Sequence, residues 1–472
     1  MVWQLKPAGL LFGLGVLSGC ATLQLNAGFA DVSKAVEERS GDKVFWTSGS
    51  DGTREVQEKI RSIVNGKLTA DQVVQVALLN NHEIQALYSN LGIAQADLVQ
   101  AGLLRNPIFD AAITFPVSGG RTDFELTAVM NFLDVFYIPL RKRVAASRFE
   151  ETKLVVTGSV LDFVGQTRRA FYIHQANEQM LELRETIVRA FSASFEVARR
   201  LHEAGNISDL DFVSQRAPLE SAKLALRSAE AAAIQSREQL NIFMGLWGED
   251  TEWVVDNRLP EIPIEPMERD GIEKVAIEKS LNLASARQRI VSAGEQLGYA
   301  KSTALLPEWG IGTRGERREG PWAVGPMLEF PIPLFDQGQG RTGRAAAELR
   351  RAQHEYYAWA VRVRSAARLT RDRMQAARDR VLYYRDVLLP LHERIVNESQ
   401  LHYNAMQLGV FELLRAREQQ IQTAAGYIEA LRDLWLAQTD LELVLSGRLP
   451  NSNGLPVSDA ASQGRTDEGE RH

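Results

Sequence analysis

From Thr69 the chain switches twice between two hydrophobic periods. Val73, Val76, Ala77, Ile84, Leu87, Leu91, Ala94, Leu98 and Ala101 recur at helical spacing behind the N-cap candidate Thr69-Ala70-Asp71. After Arg105-Asn106-Pro107 the period falls to two. Phe109, Ala111, Ile113, Phe115 and Val117 share one face, and Ile108, Asp110, Ala112 and Thr114 share the other. Ser118-Gly119-Gly120 turns the chain, and Phe124, Leu126, Ala128, Met130 and Phe132 continue the apolar face. This pattern predicts a strand pair over about 108–132. A long helix follows, from about Arg141 to Glu203, and reverses at Ala204-Gly205-Asn206-Ile207-Ser208. The return helix carries Leu219, Leu226, Ala233 and Leu240 at intervals of seven, the spacing of antiparallel coiled-coil packing.

The order then repeats. Ile272, Val275, Ala276, Leu283, Ala286, Ile290, Val291 and Leu297 form a second helical run that stops at Leu306-Pro307. Trp309 and Ile311, a polar turn at Gly315 to Gly320, and Trp322, Val324, Leu328 and Phe330 predict a second strand pair over about 308–330. The stretch Phe330 to Glu348, F-P-I-P-L-F-D-Q-G-Q-G-R-T-G-R-A-A-A-E, leads into a helix expected from about Gly343 to Met406. Pro390 should kink or interrupt that helix. In the first copy Phe132 to Ala146, F-L-D-V-F-Y-I-P-L-R-K-R-V-A-A, reads as the same joint. Gln407-Leu408-Gly409-Val410 reverses the second long helix, and Leu414, Ile421, Ile428 and Trp435 return at intervals of seven. A fixed internal period means tandem repeats. The expected division is a leader over 1–19, a tether over 20–66, repeat 1 over 67–247, a Pro260/Pro263/Pro266 connector over 248–270, repeat 2 over 271–449 and a polar tail over 450–472. The fold class is mainly α with a small β part, built of tandem helical hairpins and four strands per chain.

Each strand is near the ten or so residues that a tilted membrane-barrel strand needs. Alternation alone also fits a soluble hairpin half-buried on a core. On the membrane reading, Phe109, Phe115, Trp309 and Trp322 face lipid. A four-stranded sheet has two open edges, and closure is obligatory in lipid because unpaired backbone groups are costly there.

Composition narrows the function. The chain has 472 residues and a net charge of −6, which gives no support to nucleic-acid binding. Its one cysteine, Cys20, ends Leu17-Ser18-Gly19-Cys20 behind Lys6 and the short apolar run Leu10 to Val16. This looks like a secretory leader with a lipobox, and Cys20 is the expected lipidation site. Ala21 follows it, where lipoproteins held at the inner membrane have aspartate, so the outer membrane is implied. Gly338-Gln339-Gly340-Arg341-Thr342-Gly343 matches G-x-G-x-x-G, but the following helix is too long for the βαβ unit of a dinucleotide site. Its glycines suit a strand-to-helix bend. His202-Glu203 and His392-Glu393 are not completed to H-E-x-x-H, and no Cys pair exists. No catalytic residue, metal site or cofactor is expected.

Ala77-Leu78-Leu79-Asn80-Asn81, Phe330-Pro331-Ile332-Pro333-Leu334-Phe335-Asp336, and Leu389-Pro390 with Tyr403 and Gly409 resemble motifs of the TolC-like outer-membrane efflux family. The resemblance runs from about Leu68 to Leu449. It implies a homotrimer with a twelve-stranded barrel in outer-membrane lipid and a helical tunnel through the periplasm. It implies a passive exit duct that docks to a periplasmic adaptor and an inner-membrane pump. It places adaptor docking at the hairpin tips, here Gly205, Leu210, Phe212, Gly409, Phe411 and Leu413. It places a gate of carboxylates just beyond the tips, matched by Asp211 and Glu412; Arg415 stands where a second acid is common. Glu412 and Arg415, at i,i+3, share a helix face and could pair. The competing expectation is a structural or adhesive periplasmic lipoprotein of helical hairpins without a conduit.

Overall fold

The computed structural model describes residues 24, 26–46, 51–115, 117, 122–262, 271–305, 309–318 and 320–450. Outside them lie the leader, Cys20, the turn Ser118-Gly119-Gly120, the stop at Leu306-Pro307, connector prolines Pro263 and Pro266, and the tail from 451. The chain forms two compact units. The first holds residues up to 160, 239–255 and 281–361; the second holds 161–238, 256–280 and the chain from 362.

In the first unit α1 (Phe29–Ser40) and α2 (Asp51–Val64) precede β1 (Lys67–Leu68), α3 (Ala70–Asn80) and α4 (His82–Ala101). Phe29, Trp46 and Tyr88 hold the N-terminal segment down with ring centroids 5.0–6.2 Å apart. Tyr88 is fully buried, and desolvation pushes its hydroxyl pKa up. The helical run that begins at Thr69 is not continuous. Thr69 closes a capping box with Gln72, and the run breaks at Asn81. Next come β2 (Ile108–Thr114), β3 (Asp123–Asn131), β4 (Val254–Val255), α8 (Leu281–Leu305), β5 (Gly310–Arg317) and β6 (Ala323–Glu329). β2, β3, β5 and β6 form an antiparallel sheet in that order, and β1 pairs in parallel with β4.

The break at Asn81 has a physical cause. Asn81 Oδ1 accepts the Glu83 and Ile84 N–H groups at 2.8 and 3.3 Å and starts α4. Its Nδ2 donates to the Ile242 and Phe243 carbonyls at 3.1 and 3.0 Å. Asn80 Nδ2 donates to the Met244 and Gly245 carbonyls at 3.0 and 2.8 Å. Two adjacent asparagines thus cover four carbonyls at the C-terminal end of α6 (Asp209–Met244). The backbone of Gly245 passes so close that an added Cβ would lie 3.0 Å from the Asn80 carbonyl oxygen.

The two strand-to-helix joints differ. In the first copy α5 (Asp134–Glu203) already begins at Asp134, so Ile138-Pro139-Leu140 lies inside the helix. Asp134 is buried there against Arg105 and Arg141, with Arg141 3.4 Å away. In the second copy β6 ends at Glu329, residues 330–338 are irregular, and α9 (Gln339–Tyr383) starts four residues before Gly343. Gly338, at φ 75°, takes the left-handed position of that bend.

The second unit contains the distal parts of α5 and α9, most of α6, α7 (Ile272–Lys279), α10 (Leu389–Asn404) and α11 (Val410–Leu445). Pro390 interrupts the α-helical pattern, as expected. It has no N–H for the Asp386 carbonyl, and the helix widens into a π turn over Tyr384–Leu388 just before it. α11 buries Leu431, Leu434, Leu441 and Val444, each worth about 2 kcal/mol of transfer free energy. Gly426 allows α11 to close on the π turn, since a Cβ there would sit 2.6 Å from Tyr384 Oη.

Candidate functional site

Cross-strand register turns the alternation into two faces. Phe109 pairs with Ala128, Ala111 with Leu126 and Ile113 with Phe124, so both halves of the first apolar pattern share one side. That side continues through Ile311 and Thr313 on β5 to Leu328, Pro326 and Val324 on β6. Phe109 and Phe115 are 77% and 71% exposed. The Trp322 ring lies over Gly315, 3.6 Å from where a Cβ would stand. Trp309 is half-buried against Phe132 and Phe330, so it is less open than the other three aromatics. The opposite face bears Asp110, Asp123, Glu125, Thr127, Arg314, Glu316 and Glu329. Glu125 stands directly across from Glu316. The repulsion is relieved by Arg314, 2.7 Å from Glu125, and Arg318, 3.6 Å from Glu316. Gly312 is required by strand proximity: a Cβ there would meet the Ala128 carbonyl oxygen at 2.2 Å.

A sheet with one apolar and one polar face, its apolar side chains largely exposed among the described residues, has the pattern of a barrel wall rather than of the lid of a soluble core. No described helix is long and apolar enough to cross a membrane.

At the first hairpin tip Gly205 adopts φ 76° and Asn206 donates to the Leu201 carbonyl at 2.8 Å. Ser208 and Asp211 cap α6 reciprocally: Asp211 N–H reaches Ser208 Oγ at 3.2 Å, and Ser208 Oγ donates to Asp211 Oδ2 at 2.7 Å. Asp211 therefore has a local structural role within one chain. His202 bridges the turn to Asp209 at 2.6 Å. Phe212 is half-buried, stacked on His202 and Phe195 at 4.8 and 5.3 Å, whereas Leu210 is 76% exposed.

The second tip is built differently. The left-handed residue is Met406, at φ 59°, while Gly409 is extended and precedes α11. Met406 is almost fully exposed and nothing in the hydrophobic pattern singles it out. Leu413 is buried at 9% exposure, so it staples the hairpin and presents no free surface; Phe411 is half-buried. Glu412 and Arg415 are exposed, and among the described residues they make no ion pair with each other.

Solved outer-membrane channels share this fold. The outer-membrane channel OprN superposes with a TM-score of 0.67 at 15% identity, covering 88% of this chain and 95% of that one. The open MtrE channel of Neisseria gonorrhoeae gives 0.65 at 14% identity, over 81% of this chain and 90% of that one. No family model matches the sequence. Among curated proteins, the cobalt-zinc-cadmium resistance protein CzcC of Cupriavidus metallidurans is 22% identical over 388 residues, 80% of this chain and 90% of that protein. The probable efflux pump outer membrane protein TtgC of Pseudomonas putida is 22% identical over 422 residues, covering 78% and 84%. The chain thus has the fold of solved outer-membrane channels and is similar in sequence to outer-membrane efflux proteins.

Proposed function

We propose that three copies of this chain close into a passive exit duct of a tripartite efflux system. The four-stranded sheet carries this reading. It is apolar on one side, polar on the other and open at both edges, so it satisfies its backbone in lipid only by joining copies of itself. Three sheets give a twelve-stranded wall whose polar face lines water. A scaffold without a conduit would expose Phe109, Phe115 and Trp322 to water for no gain. Planar-bilayer recording of the purified protein tests it: stepwise, ohmic conductance is expected, and a protein that assembles in bilayers without conductance refutes it.

The repeat and connector boundaries, the gate at Asp211, Glu412 and Arg415, docking of a periplasmic adaptor on the tips, and coupling to an inner-membrane pump are finer parts of the same proposal. So is a lipid anchor at Cys20, which mass spectrometry of the mature N-terminus checks; an unmodified Cys20 removes it. The names of relatives at the same 22% identity span metal cations and toluene. Cargo choice is therefore assigned to the pump, not the duct.

A further inference from the structure

We propose that a groove in the second unit, walled by α5 and α9 and floored by α11, binds an organic anion with an apolar body. The site goes beyond the duct reading, and only its access from a lumen rests on that reading.

The groove consists of two adjoining hollows of about 420 Å³ each. Arg169 of α5, Thr370 and Arg373 of α9, and Asp440 of α11 line both of them. All of these residues belong to the second unit. Small-molecule sites occupy roughly 300–1,000 Å³, so the size suits such a ligand. Small side chains keep the space open: Ala366, Ala376 and Ala377 on α9, and Ala437 on α11. Leu369 and Leu443 add apolar surface. Gly165 lets α5 come close to α11, since a Cβ there would stand 3.3 Å from Leu443 Cδ2.

The charge in this groove is positive. Arg362, Arg373 and Arg380 follow one another at eleven and seven residues, close to three and two whole turns, so they share one side of α9. The acids of the lining are Asp162, Asp433 and Asp440, and arginine already holds each of them. Arg448 holds Asp162, Arg380 and Arg432 hold Asp433, and Arg169 holds Asp440. Among the described residues, four lining arginines stand against three lining aspartates, and Arg432 and Arg448 add to the excess. Arg373 lines both hollows and holds none of the three aspartates. A guanidinium presents a planar fork of N–H donors that matches a carboxylate or a sulfonate. The alanines and leucines beside it would cover an apolar body. A cation would meet excess positive charge, and a neutral apolar solute would gain nothing from the guanidinium.

The groove faces away from the connector. Gln175 on α5 donates to the Asp256 and Arg258 carbonyls at 2.9 and 3.3 Å, and Trp435 on α11 donates to the Pro260 carbonyl at 3.0 Å. Gln175 is six residues from Arg169 and Trp435 is five from Asp440, about 120° and 140° round their helices. In a duct, a connector on the inner side would obstruct the passage. On that reading the connector lies outside and the groove opens to the lumen.

Isothermal titration calorimetry tests the site, with naphthalene-2-sulfonate as the probe and the full chain purified in non-ionic detergent. Saturable binding of one sulfonate per chain is expected. Arg373→Gln should raise Kd roughly tenfold or more, the usual effect of losing hydrogen bonds to a charged group. Arg350→Gln, which removes an exposed arginine of the same helix outside the groove, should leave Kd unchanged. Ala437→Phe fills the groove at constant charge and should abolish binding. Arg373→Lys keeps the charge without the fork and should fall between wild type and Arg373→Gln; it carries the test if circular dichroism shows that Arg373→Gln does not fold. Equal affinity in wild type and Arg373→Gln, or an equal loss in Arg350→Gln, overturns the site. Naphthalen-2-ylmethylammonium binding as tightly as the sulfonate overturns the choice of an anion. Either result leaves the bilayer conductance expected of the duct untouched, so failure here and failure of that reading are separate outcomes.

Discussion

Asn81 joins the end of one repeat's return helix to the start of its first long run, and its two halves are separable by mutation. In Asn81→Ala the α4 cap is lost, which costs roughly 1 kcal/mol. Two buried side-chain hydrogen bonds to the Ile242 and Phe243 carbonyls go with it, at roughly 1 kcal/mol each. Gly245 N–H still reaches the Ile242 carbonyl at 3.2 Å, so that group is not orphaned and the total stays near 3 kcal/mol. Asn81→Asp discriminates. Aspartate caps a helix as well as asparagine does, so the α4 side is unharmed. On the α6 side a carboxylate oxygen would replace the donor and face two carbonyl oxygens about 3 Å away at a site 4% exposed. The expected order of stability is wild type, then Asn81→Ala, with Asn81→Asp no better than Ala. Urea unfolding of the detergent-solubilised protein, followed by far-UV circular dichroism, measures it. A wild-type midpoint for Asn81→Asp would show that the α6 carbonyls gain nothing from this side chain and would refute the argument.

His174 is fully buried beside Ser236, with Glu178 3.8 Å from its Nε2; burial, aided by the Arg237 charge, pushes its pKa down to about 4. The unfolded chain binds that proton more readily, near pH 6.5. Stability is therefore complete above about pH 6.5 and falls by up to about 3 kcal/mol as pH drops toward 4. His174→Gln should flatten the urea midpoint against pH, and an unchanged slope rules His174 out as the source. Arg415→Ala should raise resting single-channel conductance if Arg415 bridges copies at the gate; conductance equal to wild type across a salt series for both Arg415→Ala and Glu412→Ala rejects that role. Leu210→Glu should abolish efflux while leaving the trimer folded, whereas Leu413→Glu, by charging a buried staple, should destabilise the second hairpin by roughly 3 kcal/mol or more. Transport retained in Leu210→Glu argues against docking at that tip.

The repeat, the four strands and their two faces were readable along the chain because each rests on a local period. A period of two places Phe109, Ile113 and Phe115 on one side whatever else surrounds the strand. The long helices were readable for the same reason. Their ends were less so. Ile138-Pro139-Leu140 resembled the joint at 332–334, but burial of Asp134 against Arg105 and Arg141 carries the first helix seven residues further back. Leu210 and Leu413 look equivalent in sequence, and only hairpin packing makes one exposed and the other buried. The same holds for Asn80 and Asn81. Their order in the chain marks a helix start, while the four carbonyls they cover belong to residues about 160 positions away. Asp211 reads as a gate carboxylate by position, and its nearest partner is the cap of its own helix. Local periodicity decides which face a residue takes, because it needs only neighbours in the chain. What that face meets depends on contacts between distant segments, and tertiary structure alone supplies those.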